Sequence, residues 1–315
     1  MRRWVSSACA LALAASTVSA QVIKEGGRGL QSAGPTKQQN QAKSVSSKPS
    51  PKTNPVLWPP PNVDSAVPPV APGVSCPLED ILAASQLRVQ ELAENLERFT
   101  ATEVVNSAEI GRDGRPKRPL NYSFNYLAEV SQTHGGYLKV NESRKETGRI
   151  NPTAIPVQTI GLAIGAVIFH PGNMSGFKMV CEGLGQWKGK PAWQLHFAQR
   201  PEKASQFQAI YVDRKWADVK LKGRAWIAAD SFQIEHLDFD LLEVVSRIRL
   251  LTEHMGVDYR AVDFPKRNLH LWLPESVNFY IDIGGHRFLN RHQLTNYLLF
   301  AVETDQQIQL PQASN

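Results

Sequence analysis

The sequence predicts an α+β fold. One large antiparallel sheet carries a long N-terminal helix and a second, apolar helix over its concave face. Three observations lead there. Residues 218–243 read as two strands joined at a turn, with Val219, Leu221, Ala225 and Ile227 on one face and Lys220, Lys222, Arg224 and Trp226 on the other. Residues 78–99 show one apolar stripe at helical spacing. From residue 100 onward, short alternating stretches are separated by Gly-containing turns, the pattern of many antiparallel strands in a sandwich or barrel-like form.

The chain opens with Arg2 and Arg3, an apolar stretch, and Val18-Ser19-Ala20 before Gln21. This is the pattern of a cleaved export signal over residues 1–20, and its apolar run is too short to span a bilayer. It predicts a protein of the bacterial envelope, periplasmic or secreted. No other stretch is apolar enough to cross a membrane. The formal charge of +6 comes from Arg2, Arg3 and a surplus of four in residues 21–75, which leaves residues 76–315 balanced. The folded part therefore offers no electrostatic bias toward nucleic acid. The basic tail is read as a solvated linker, with weak contact to an anionic surface as the alternative.

Residues 21–75 are rich in Gln, Lys, Ser and Pro and predict a disordered linker, too poor in apolar surface to offset the entropy of ordering. Residues 76–315 then form a single domain, with ample length for a core. Two cysteines remain after cleavage, Cys76 and Cys181. In an oxidising compartment they invite a disulfide worth up to about 4–5 kcal/mol in the chain-entropy model, the alternative being two buried thiols.

The helix starts after Pro77, with Glu79 and Asp80 at its positive end. Its buried stripe is Leu78, Ile81, Leu82, Ser85, Val89, Leu92, Leu96 and Phe99. Strands are expected over residues 100–110, 122–130, 137–144, 177–181, 192–199, 209–213, 247–253, 259–264, 269–273, 277–281, 287–292 and 296–302, besides the central pair. Within that pair Phe232 and Ile234 stand in opposite phase to Leu237, Phe239 and Leu241, which predicts a bulge or a twist near His236. Residues 156–171 are apolar almost throughout. Ile160, Ile164, Val167 and Ile168 suit a helical stripe, either a buried helix plugging the open side of the sheet or a mobile lid over a cavity.

Gly223-Arg224-Ala225-Trp226-Ile227 followed by Asp230-Ser231-Phe232 and Ile234, then Tyr259 and Val262, then Leu273-Pro274, resembles the strand–turn–strand and closing strands of the outer-membrane lipoprotein-sorting (LolA-like) superfamily. The resemblance spans about residues 78–305. It implies a half-open β-barrel with helices at its mouth, and a carrier of lipids or acylated proteins.

The residues offer a pocket independently of that resemblance. An apolar concave face beneath a helix is a default ligand site. Its candidate lining is Phe124, Tyr126, Trp193, Leu195, Phe197, Leu221, Ile227, Leu271 and Leu273, for each of which plain core packing is the alternative. Among the eight histidines, His286 and His292 can share a strand face, His236 has Glu235, Asp238 and Asp240 nearby, and His254 adjoins Glu253. None has a zinc or metalloprotease spacing, and alternating charge on a wet strand face gives the same letters. No nucleophile elbow, phosphate loop or dinucleotide fingerprint is present. The expectation is a monomeric, non-enzymatic binding protein without cofactor or metal, or alternatively an envelope scaffold with a fully packed core.

Overall fold

Alternation along the chain produces long strands. In the computed structural model, which describes residues 60–96, 98–134, 136–147, 158–160, 165–203, 208–212 and 215–300, the first element is helix α1 (Leu78–Asn95). Then come strands β1 (Arg98–Ile110), β2 (Pro116–Gln132), β3 (Leu138–Glu146) and β4 (Gln158–Ile160). A 3₁₀ turn (Gly165–Phe169) and a single helical turn, α2 (Pro171–Met174), follow. The remaining strands are β5 (Phe177–Trp187), β6 (Lys190–Gln199), β7 (Gln208–Val212), β8 (Lys215–Val219), β9 (Leu221–Ala228), β10 (Ile234–Leu241), β11 (Leu250–Phe264), β12 (Leu269–Ile283) and β13 (His286–Phe300).

Ten strands form one antiparallel sheet in the order β3-β2-β1-β13-β12-β11-β10-β9-β6-β5, and β4-β7-β8 form a small second sheet. The large sheet is not closed, since β3 and β5 remain its edges. Laid flat, those edges would be about 43 Å apart at the usual strand spacing. Yet Asn173 in α2 bonds both the N–H and the carbonyl of Leu138 on β3, and β5 begins at Phe177, four residues later. Four residues span at most about 14 Å, so the sheet is strongly curved.

One continuous apolar cluster fills the concave face. It includes Phe99, Tyr126, Phe197, Leu221, Phe239, Val257, Leu273 and Phe279, each fully or nearly fully buried. Helix α1 lays Ile81, Ser85, Val89 and Leu92 against it, part of the predicted stripe, whose last residue, Phe99, lies on β1 because the helix ends at Asn95. The short sheet adds Ile210, Ala217 and Val219.

The central hairpin turns at Ala229-Asp230-Ser231, and its ladder slips between Ile234 and His236, where the phase of the sequence changes. Several expected strands prove to be halves of longer ones. Residues 269–273 and 277–281 are both in β12, because Pro274 is taken up at a register shift opposite Asp258 and Tyr259 rather than ending the strand.

The apolar stretch 156–171 does not form the expected single helix. Residues 158–160 are strand, 165–169 are 3₁₀, and the α-helical turn starts only at Pro171. Gly165 sits against the Phe239 ring, where an added Cβ would lie 2.4 Å from Cζ, so tertiary packing sets its conformation. Among the described residues no helix is long and apolar enough to cross a membrane.

Of the stretch expected as a linker, residues 60–75 are laid as a strap across the convex face, and residues 21–59 lie outside the described residues. The N–H of Val63 donates to Asp240 on β10, and Asp64 accepts from Lys222 on β9 and meets His196 on β6. Arg224 donates to the carbonyl of Ala66, and the N–H of Ala71 bonds the carbonyl of Leu184 on the β5 edge. A Cys76–Cys181 disulfide, with Cα atoms 6.3 Å apart, then fixes the chain to that edge before α1 enters the concave side.

Candidate functional site

Three segments distant in sequence meet at the seam between α1 and the β3 edge. Gln90, Ala93 and Glu94 project from α1, Val130, Ser131 and Gln132 end β2, Gly136 and Leu138 lead into β3, and His170, Pro171 and Gly172 open α2. Between them lies a pocket of about 430 Å³. This volume falls within the range of small-molecule sites.

The wall formed by α2 is built by its start signal. His170 caps the helical turn, its Nδ1 accepting the N–H of Gly172 at 3.2 Å, with Pro171 at the first position. That bond leaves the ring proton on Nε2. Burial lowers the His170 pKa, so the ring is neutral at pH 7. Gly172 is required here, since a Cβ would stand 2.0 Å from the carbonyl oxygen of Gly136. Asn173 fastens the turn, accepting from the Leu138 N–H at 3.0 Å and donating to the carbonyls of Val167 at 3.0 Å and Leu138 at 3.3 Å. The far end of this plug, residues 165–174, is held by Tyr259, whose hydroxyl accepts from the N–H of Ala166 at 3.0 Å.

Beneath α1 at the opposite rim, a second pocket bounded by Val89, Ala166, Tyr259, Leu271 and Trp272 holds only about 20 Å³, room for one water. The sequence-predicted lining residues fill the interior in between. Tyr126, Leu195, Phe197, Leu221, Ile227, Leu271 and Leu273 are buried in the main cluster, and Trp193 packs partly buried against it. Phe124 stands apart with Val105 and Tyr122. Of the expected lid residues, Val167 and Ile168 are buried in the plug. Ile160 lies on β4, and Ile164 lies outside the described residues.

Among the described residues, two buried glutamates lie within the apolar concave face. Glu103 on β1 takes a bidentate bond from Arg144 on β3, at 2.6 and 3.1 Å, and meets Nδ1 of His292 at 2.8 Å. The guanidinium crosses the Tyr126 ring at 5.0 Å on its way. Burial opposes the Glu103 charge, but Arg144 and His292 outweigh it and hold the carboxyl at about 2. Glu253 on β11 has the side-chain amide of Gln208 as donor, and burial pushes it up to about 7.

On the convex face His236, Asp238, Asp258, His254 and Asp240 form a linked row. His236 meets Asp258 through Nδ1 at 2.9 Å and Asp238 through Nε2 at 3.0 Å. Burial works against a charged ring there, but the two carboxylates outweigh it and raise the His236 pKa. Trp187 stacks on the ring at 3.9 Å. The sequence placed His236 beside Asp238 and Asp240. It did not show Asp258, which arrives through strand pairing, or the strap that buries Asp240. No group of three or more His, Cys, Asp or Glu side chains among the described residues is arranged to hold a metal. Neither Glu94 nor His170, which line the pocket, is among the lining or lid candidates that the sequence offers. The only local signal for them is the helix start at His170-Pro171.

No family model matches the chain, and no curated protein matches it. Solved structures that this chain partly resembles include a DUF1329 family protein from Desulfovibrio piger, with 9% identity over 73% of this chain and 96% of that one, at a TM-score of 0.42. Another is a putative outer membrane lipoprotein-sorting protein domain from Vibrio parahaemolyticus, with 6% identity over 74% and 95% and a TM-score of 0.41. A third is a LolA superfamily protein from Nitrosomonas europaea, with 10% identity over 72% and 96% and a TM-score of 0.35.

Proposed function

We propose that the chain is an exported, monomeric, non-enzymatic envelope protein that holds the alkyl or acyl chain of a lipid or acylated protein. The observation that carries this reading is the pocket of about 430 Å³ at the seam of α1, the β3 edge and the plug. Its apolar lining, Ala93, Val130, Leu138 and Pro171, adjoins the main core, which Val130 and Leu138 join as partly buried members.

Capture needs no covalent step, because each buried methylene contributes about 0.8 kcal/mol. A longer chain gains room when the plug lifts. Ile168 and Phe169 leave the bed they share with Phe197, and the Asn173 and Ala166 bonds are exchanged for water. Phe197, Leu195, Leu221 and Ile227 then become the lining.

Native mass spectrometry of the periplasmically expressed protein tests this, with a co-purifying lipid as the expected result. Repeated recovery of the bare protein overturns it. Asn173→Ala, which frees the plug from β3, is expected to raise the uptake rate of a fluorescent fatty acid.

The scaffold reading has one observation in its favour, the space of only about 20 Å³ left beneath α1. Deleting residues 21–59 separates the two. Lost localisation of a protein that carries no lipid in either form favours a scaffold tethered by its tail.

A further inference from the structure

Charge around the seam pocket is one-sided. Among the described residues that line it, Glu94 is the single carboxylate, and Gln90, Ser131, Gln132 and neutral His170 supply the other polar groups. Among the described residues the lining holds no lysine or arginine. Lys139 follows Leu138 on β3 but is not among the described residues that line the pocket. Backbone strengthens the same sign, since the carbonyl oxygen of Gly136 lies at the pocket wall against Gly172.

We propose, on the alkyl-chain reading above, that this pocket selects amphiphiles with an ammonium headgroup and rejects those with an anionic one. The alkyl chain lies along Ala93, Val130, Leu138 and Pro171. The ammonium stands beside the Glu94 carboxylate, donating to it and to the side-chain oxygens of Gln90 and Gln132. A carboxylate or phosphate head meets the same Glu94 charge with no cation in the lining to offset it. Specificity by a repulsive element is as effective as specificity by an attractive one. Glu94 is exposed, so attraction and repulsion are each worth a few-fold, and together on the order of ten-fold between the two charge types.

The test uses the full mature protein and three probes of equal chain length, dodecylammonium, dodecanoate and uncharged 1-O-dodecylglycerol, each below its micelle threshold, in competition with a fluorescent alkyl reporter. Dodecylammonium is expected to bind about ten-fold tighter than dodecanoate at low salt, with the uncharged probe between them and the ratio shrinking in high salt. Glu94→Gln, at an exposed helix position where the two residues have nearly equal helix propensity, is expected to erase the ratio between the charged probes. Equal affinity of the two charged probes for the unaltered protein overturns the proposal, as does a ratio that survives in Glu94→Gln. Failure of all three probes to bind overturns the alkyl-chain reading, and this selection with it.

Discussion

Two glutamates lie on the same concave face, three strands apart, and behave in opposite ways. Glu103 and Glu253 are equally buried, at 1% and 2% exposure. The first has a guanidinium and an imidazole for partners and stays ionised down to about pH 2. The second has an amide, with Asp240 adding to its repulsion, and takes up a proton near pH 7. Burial alone therefore does not set the charge of an inward carboxyl, because the partner supplied by neighbouring strands decides it.

Removing the partner is the strongest way to break the contrast. Arg144→Met leaves buried Glu103 with the His292 imidazole as its remaining partner, at an expected cost of up to about 3–5 kcal/mol in urea unfolding. The double variant with Glu103→Gln is expected to recover much of that loss. If the single variant unfolds no more easily than the unaltered protein, the Glu103 pair contributes nothing to stability.

The pH dependence of stability sharpens the comparison, because the two signs differ. Glu253 has its pKa raised in the fold, so the folded state binds the extra proton between about pH 4.5 and 7. Its contribution is full below the unfolded value and lost as pH climbs through that window, by roughly 3 kcal/mol. Glu103 has its pKa lowered, so its contribution is present above about pH 4.5 and lost as pH falls toward 2. Glu253→Gln is expected to flatten the neutral limb of the stability curve and leave the acid limb in place. A neutral limb unchanged by that substitution would contradict the assignment.

The smallest effect belongs to a third carboxylate. Asp64, half exposed in the strap, pairs with Lys222 and His196, and Asp64→Ala is expected to cost less than about 1 kcal/mol in the same assay. A larger loss would mean that the strap matters more to stability than its polar anchors indicate.

Much of this architecture can be read from residue order. Alternation places Phe99, Ala101, Glu103 and Val105 on one side of β1, and a glutamate within that row already marks an unusual interior. The α1 stripe and the phase change at His236 are legible for the same reason, since local periodicity reports which side faces the core. The 156–171 stretch is not, because its conformation follows from contacts such as Gly165 on Phe239. The strap is illegible by composition, held as it is by scattered polar bonds and one buried valine, Val63. The seam pocket requires Gly172 to approach the carbonyl of Gly136, two residues 36 positions apart whose nearness no short window of sequence reveals.

The Cys76–Cys181 link joins the strap to the β5 edge at the point where the chain passes from the outside of the sheet to its inside. A pull exerted from the N-terminal side is thus borne in shear by the outer wall and ends at a covalent anchor, before any of it reaches α1.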